Sequence, residues 1–120
     1  MSVEGFENKT AEAKFEDLKK KYAGKKVYEI SHTVQVDDET EETLGFLFRK
    51  PKPTTYDRYI KTASKSMSVA SMSFVLDNVV DEQSKKLEEG LEEYPAMAIT
   101  FAEKLLKMLG LGDNTTVKKL

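Results

Sequence analysis

The stretch from Phe74 to Gly110 divides into three blocks whose order leaves little choice of structure. A nearly all-apolar run, Ser73–Val80, precedes a charged segment, Asp81–Glu93. A second apolar segment follows, opened by Tyr94-Pro95 and closed by Gly110. Nine of the fourteen positions from Met67 to Val80 are apolar, which predicts a central buried helix over about 68–80. Asp81-Glu82-Gln83-Ser84 reads as a turn and cap region, and Leu87, Leu91 and Tyr94 give the next short helix one apolar edge. Pro95 suits the first turn of a last helix, where its missing N–H costs little. Ala98, Phe101, Ala102, Leu105 and Leu109 recur on one side of that helix. Gly110 is placed to cap it, with Leu111 supplying the hydrophobic contact that accompanies such caps.

The N-terminal half has a different period. Residues 1–8 read as a loose terminus. From about Thr10 to Tyr22, Ala11, Phe15, Leu18 and Tyr22 recur at helical spacing and leave one narrow apolar stripe. Glu12 and Glu16 early and Lys19, Lys20 and Lys21 late suit the helix dipole, and Gly24 is a stop signal. Residues 27–36 alternate, with Tyr28, Ile30, His32, Val34 and Val36 on one face, as in a half-buried strand. Thr43–Lys50 forms the return strand, with Leu44, Phe46 and Phe48 on one face, and Asp37–Glu42 makes a long acidic tip. An isolated hairpin is marginal in water, so a helix is expected over its apolar face. Pro51-Lys52-Pro53 reads as a stiff joint, after which Thr54 is the expected N-cap of a helix whose Tyr56, Tyr59, Ile60 and Ala63 share a face. The expected class is α+β: an N-terminal helix and a β-hairpin packed against a C-terminal bundle of about four helices. One domain over 1–120 is expected, with about 1–9 and 112–120 flexible.

Composition removes more functions than it suggests. The chain has no Cys, no Trp and a single His, so most metal and nucleophile chemistry lacks its residues. Nineteen basic against 21 acidic side chains give a net charge of −2, no field to draw nucleic acid or acidic lipid to the whole molecule. The absence of cysteine fits a reducing compartment. Neither a leader nor an apolar run of about 18 residues is visible, so the expected location is the cytoplasm, with no membrane and no cofactor.

Each candidate site has a plain alternative. His32, on the apolar face of its strand, reads as a partly buried structural histidine. Asp37–Glu42 lacks the spacing that wraps a loop round calcium and reads as a solvated tip whose like charges discourage edge pairing. The segment 46–61 interleaves Phe46, Phe48, Tyr56 and Tyr59 with Arg49, Lys50, Lys52, Arg58 and Lys61, a composition that can stack bases and neutralise phosphates. A small nucleic-acid-binding module is therefore one competing reading, although Phe46 and Phe48 are also wanted in the core. An enzyme using paired carboxylates is another, but exposed Asp and Glu are too numerous for a pair to inform. The basic cluster Lys19-Lys20-Lys21 with Lys25-Lys26 reads as a solvated helix end. Met67, Met72, Met97 and Met108 serve either as core filling or as an adaptable partner surface.

Phe46-Leu47-Phe48-Arg49-Lys50-Pro51 leads into Tyr56-Asp57-Arg58-Tyr59. Leu76-Asp77-Asn78-Val79-Val80 follows, then Glu92-Glu93-Tyr94-Pro95 and a helix ending Leu105-Leu106-Lys107-Met108-Leu109-Gly110. In the order of these motifs the chain resembles the small tail assembly chaperones of Gram-positive phages and prophages. These motifs span about residues 44–112, and none is catalytic. The resemblance implies a non-enzymatic protein that binds the tape-measure protein and keeps it soluble while the tail tube assembles. It also implies dealings with other tail proteins, and a longer form made by frameshifting, for which Lys118-Lys119 would fit a slippery site. A homo-oligomer is compatible with that role. The N-terminal helix falls outside the resemblance. A chaperone of this kind needs an adaptable apolar surface for a helical client, and Met97, Phe101, Met108 and Leu111 on the last helix are the candidates.

Overall fold

The computed structural model describes the backbone of residues 3–112 and 114–120, and side chains from residue 13 onward apart from that of 113. The protein is α+β. Helix α1 (Val3–Tyr22) is followed by strands β1 (Val27–Gln35) and β2 (Glu41–Arg49). Helices α2 (Pro53–Ala63) and α3 (Met67–Asn78) come next, then a 3-10 turn (Asp81–Gln83), α4 (Ser84–Glu93) and α5 (Met97–Met108). No described helix is long and apolar enough to cross a membrane.

The strands form a two-stranded antiparallel ladder in which Val27 faces Arg49, Ser31 faces Gly45 and Gln35 faces Glu41. The acidic tip is shorter than expected. The Val36 N–H donates to the Thr40 carbonyl at 2.9 Å, so the turn closes over Asp37–Glu39, and Glu41 and Glu42 lie on β2. Asp37 Oδ1 accepts the Glu39 N–H at 2.9 Å, which sets the turn and holds the Asp37 carboxyl below its usual pKa.

The even-numbered face of the hairpin meets the helices. Phe46 and Phe48 are buried, and the Phe101 ring of α5 packs against both at centroid distances of 5.8 and 5.5 Å. His32 lies half-buried at the edge of the same cluster, 6.3 Å from Phe101 in an edge-on arrangement. Val34 closes one side, while Tyr28 and Val36, at the two ends of the expected stripe, stay exposed. Helix α3 is the centre of the helical half, with Phe74 and Val75 buried and Tyr59 of α2 stacked 4.8 Å from Phe74. Ser66 caps α3 by accepting the Val69 N–H. Met67 and Val69 remain on its outer side.

Besides the hairpin tip, four boundaries depart from the sequence reading, the smallest at α5, which starts at Met97 so that Pro95 sits in the turn ahead of it and not in its first turn. Residues 3–9, expected to be loose, belong to α1: no proline interrupts, and extending a helix costs far less than starting one. Ala11, expected on the α1 stripe, lies outside the residues whose side chains are described. In α2, Pro53 rather than Thr54 opens the helix. It occupies the first helical position after Lys52, and Thr55 Oγ1 donates back to the Lys52 carbonyl at 2.8 Å. The proline's fixed φ prepares that turn and its lack of an N–H is harmless there.

The fourth departure matters most. Helix α3 stops at Asn78 instead of running to Val80. Val79 and Val80 become extended, Val79 bridges to Phe48, and the Val80 N–H donates to the Leu47 carbonyl at 2.9 Å. Two consecutive β-branched residues favour that extended form. Gln83 then turns inward, 5% exposed, and its Oε1 accepts the Leu47 N–H at 2.7 Å. Both outward backbone groups of Leu47 are thereby satisfied in a buried place, which accounts for a buried glutamine in a charged segment.

Helix α5 ends as expected. Gly110 takes a φ of +108°, its N–H donates to Lys107, and the Leu111 N–H reaches back to the Leu106 carbonyl at 3.1 Å. That double closure needs a positive φ, which glycine adopts without a Cβ clash. Residues 112 and 114–120 follow without regular secondary structure.

Candidate partner-binding surface

Two of the four residues expected to meet a client are core residues in this structure. Met97 is 2% exposed and Phe101 is fully buried, Phe101 at the centre of the aromatic cluster just described. Met108 is half-buried, and only Leu111, at 54%, stands well out. The correction has a geometric cause. Met97, Phe101 and Leu105 fall on the same side of α5 as Ala98 and Ala102, and that side is pressed against the hairpin and α3, with Met97 beside Gly90 of α4.

The apolar surface left open lies beside Leu111. An open groove of about 540 Å³ runs between α2 and the end of α5. Pro53, Tyr56 and Ile60 form one wall, and Leu106, Leu109 and Leu111 form the other. Among the described residues, no carboxylate, lysine, arginine or histidine lines it. Tyr56 and Ile60 are 41% and 47% exposed, values unusual for such side chains on a helix that already buries Tyr59. The sequence carried the signal: Tyr56, Tyr59, Ile60 and Ala63 make a stripe wider than one contact can cover. Tyr59 packs on Phe74, leaving Tyr56 and Ile60 to face the groove. The Gly110 turn then carries Leu111 back towards the same opening.

The aromatic-basic segment is used otherwise. Phe46 and Phe48 are buried and unavailable for stacking on bases. Arg49 lies 3.8 Å from Asp81, Arg58 3.0 Å from Asp77 and Lys61 2.9 Å from Asp57. Among the described residues, no group of three or more His, Cys, Asp or Glu side chains is arranged to hold a metal ion.

The basic end of α1 has a partner that the sequence did not reveal. Lys21 Nζ donates to Glu82 Oε2 and the Tyr22 hydroxyl to Glu82 Oε1, each at 2.7 Å. Those two hydrogen bonds lower the Glu82 carboxyl from its usual 4.5 to about 2. The same contact raises the Lys21 and Tyr22 pKa values. Lys19 adds a 3.6 Å contact to Glu29 of β1. Phe15 lies over Gly45, where an added Cβ would sit 3.5 Å from its ring and 3.3 Å from Ser31 Oγ. Leu47, 3% exposed, completes this second face beside Lys19 and Tyr22. Helix α1 is thus held to the outer face of the hairpin by its last two turns.

Residues 18–118 match a domain family described as a domain of unknown function (DUF6848), and the chain belongs to that family. Its fold is similar to that of the uncharacterised protein rbstp2171 from Bacillus stearothermophilus. The TM-score is 0.68 at 27% identity, over 87% of this chain and 99% of that one. No curated protein matches the sequence. The family match begins at Leu18, so it takes in the Glu82 clamp but leaves out most of α1.

Proposed function

We propose that this protein is a non-enzymatic phage or prophage tail assembly chaperone, which binds the tape-measure protein in the host cytoplasm and keeps it soluble during tail morphogenesis. The observation that carries the reading is the groove between α2 and α5, predominantly apolar on both walls and, among the described residues, lined by no carboxylate, lysine, arginine or histidine. A holding protein needs exposed apolar relief and no catalyst. A groove between two helices suits an amphipathic client helix that presents anchors at successive turns. The motifs that resemble the chaperones run from β2 to the end of α5, and both groove walls lie inside that span. Tyr56, Ile60 and Leu111 take the partner-binding role first expected of Met97 and Phe101.

Co-expression with the tape-measure protein of the same phage or prophage tests this directly. The client should move into the soluble fraction and co-purify with the chaperone, and Ile60→Asp should abolish both effects while leaving the fold intact. A client that remains equally insoluble with and without this protein would remove the proposal.

A further inference from the structure

We infer that the free edge of β1 is a self-association surface, on which a second copy of this chain pairs antiparallel about a two-fold axis through Ser31. The backbone of β1 supplies the first part of the argument. Leu47 turns both its N–H and its carbonyl away from β1, towards Gln83 and Val80. In an antiparallel ladder the residue opposite must also point away, and that residue is Glu29. By alternation Val27, Glu29, Ser31, Thr33 and Gln35 all present their N–H and C=O groups to the outer edge. Among the described residues none of these groups has a backbone partner on that side. Glu29, Ser31, Thr33 and Gln35 are exposed.

The edge also lacks the devices that usually prevent pairing. Its nine residues contain no proline and no lysine, and the single charge, Glu29, is drawn towards Lys19 of α1. Of the acidic run, Asp37, Asp38 and Glu39 sit beyond β1 on the tight turn, and Glu41 and Glu42 lie on β2, away from this edge.

Self-complementarity supplies the second part. Antiparallel pairing centred on Ser31 sets Val27 against Gln35 and Glu29 against Thr33 of the second copy, each an outward-facing residue meeting another. About ten backbone hydrogen bonds result, two for each of the five facing pairs. On the bundle side Tyr28 meets Val34, which would cover a tyrosine left 45% exposed in the single chain. No like charges face each other. The ladder itself stops at the strand ends, because Lys26 has a φ of +58° and Asp37 enters the hairpin turn. The pairing still sets the Lys25-Lys26 bend of one copy at the same end as the Asp37–Glu39 turn of the other. Basic residues just before β1 and acidic residues just after it are the pattern that favours antiparallel over parallel self-pairing. The interface is isologous, so it closes at two copies. This proposal does not depend on the chaperone reading, because the groove lies on other elements.

Light scattering and single-cysteine crosslinking test it on the full chain. At about 100 µM the wild type should show twice its 13.6 kDa mass. The chain has no native cysteine, so each introduced thiol reports alone. In the proposed register Ser31→Cys places two Cα atoms about 5.5 Å apart, within disulfide range, and mild oxidation should give a covalent dimer. Thr33→Cys places them about 14 Å apart, so its dimer should gain no covalent crosslink. Ser31→Pro removes an outward N–H that the single chain does not use, so the mass should halve with the circular dichroism unchanged. Should that variant misfold, Lys25→Glu with Lys26→Glu replaces it. That pair should weaken the dimer roughly five- to tenfold, and adding Asp38→Lys and Glu39→Lys, which spare the turn-setting Asp37 carboxylate, should restore it. A monomeric wild type, a Thr33→Cys crosslink equal to that of Ser31→Cys, or a dimer indifferent to both the proline and the charge reversal would overturn the inference.

Discussion

The two faces of the β-hairpin are covered in opposite ways. Its even-numbered face is sealed by side chains without charge: Phe46 and Phe48 of β2 against Phe101 of α5, with α3 behind. Its odd-numbered face carries α1, held by Phe15 over Gly45, by Lys19 towards Glu29, and by Lys21 and Tyr22 on Glu82. The first face gains mainly from area removed from water, a gain that rests on no ion pair and is not lost by ionic screening. The second depends on exposed charge-assisted contacts, which are individually weak and can be released by protonation. One face therefore defines the fold, and the other attaches an element to it.

The comparison breaks first at Phe101. Phe101→Ala empties the meeting point of strand and helix and should cost about 3–5 kcal/mol in denaturant unfolding. If the loss is below about 1 kcal/mol, the aromatic cluster is not what holds the bundle face. Gln83→Ala should come next, at about 1–3 kcal/mol, because it leaves the buried Leu47 N–H without an acceptor. An unchanged unfolding midpoint in that variant would show that another group takes over.

Acid should then act on the α1 face first. The Glu82 carboxyl is depressed in the folded protein, so its contribution is complete above its ordinary 4.5 and is lost as pH falls from there through about 2. Over that window, amide exchange in the last turns of α1 should accelerate before that of α3 and α5 does. Glu82→Gln should show fast exchange in α1 already at pH 7. Simultaneous exposure of α1 and α5 would mean that the two faces are not energetically separate. The smallest effect on stability is expected at the groove. Ile60→Asp should change the unfolding free energy by no more than about 0.5 kcal/mol, as is usual for an exposed position. A much larger loss would assign Ile60 to the core and remove it from any partner surface.

Much of the helical half was legible in advance because its signals are local. The period of Leu87 and Leu91, the apolar recurrence along α5, and Gly110 followed by Leu111 each act within a few turns of one helix. The ends of elements were less legible where a distant partner decided them. Val79 and Val80 continue an apolar helical run by composition, and only the bare edge of β2 draws them out into an extended pair. Gln83 is an ordinary polar residue in a charged segment until Leu47 needs an acceptor. Lys21 and Tyr22 give no sign of Glu82, some sixty positions away along the chain.

The candidate surface follows the same division. The sequence identified which residues of α2 and α5 are apolar, but apolar residues divide between core and surface only when neighbouring elements dock. Met97 and Phe101 have the spacing and softness expected of a partner site, yet Met97 lies against Gly90 of α4 and Phe101 against β2, and both are consumed by the fold. Tyr56 and Ile60 share a stripe with Tyr59, yet the angle of α2 against α3 leaves them outside.

By itself the sequence determined the class, the hairpin, the run of helices and the shortage of reactive side chains, because periodicity, turn residues and composition are properties of adjacent positions. Tertiary structure decided where α3 ends, what Gln83 and Glu82 are for, and which apolar residues stay in contact with water. Each of those depends on satisfying a backbone group or covering a face that belongs to a remote part of the chain.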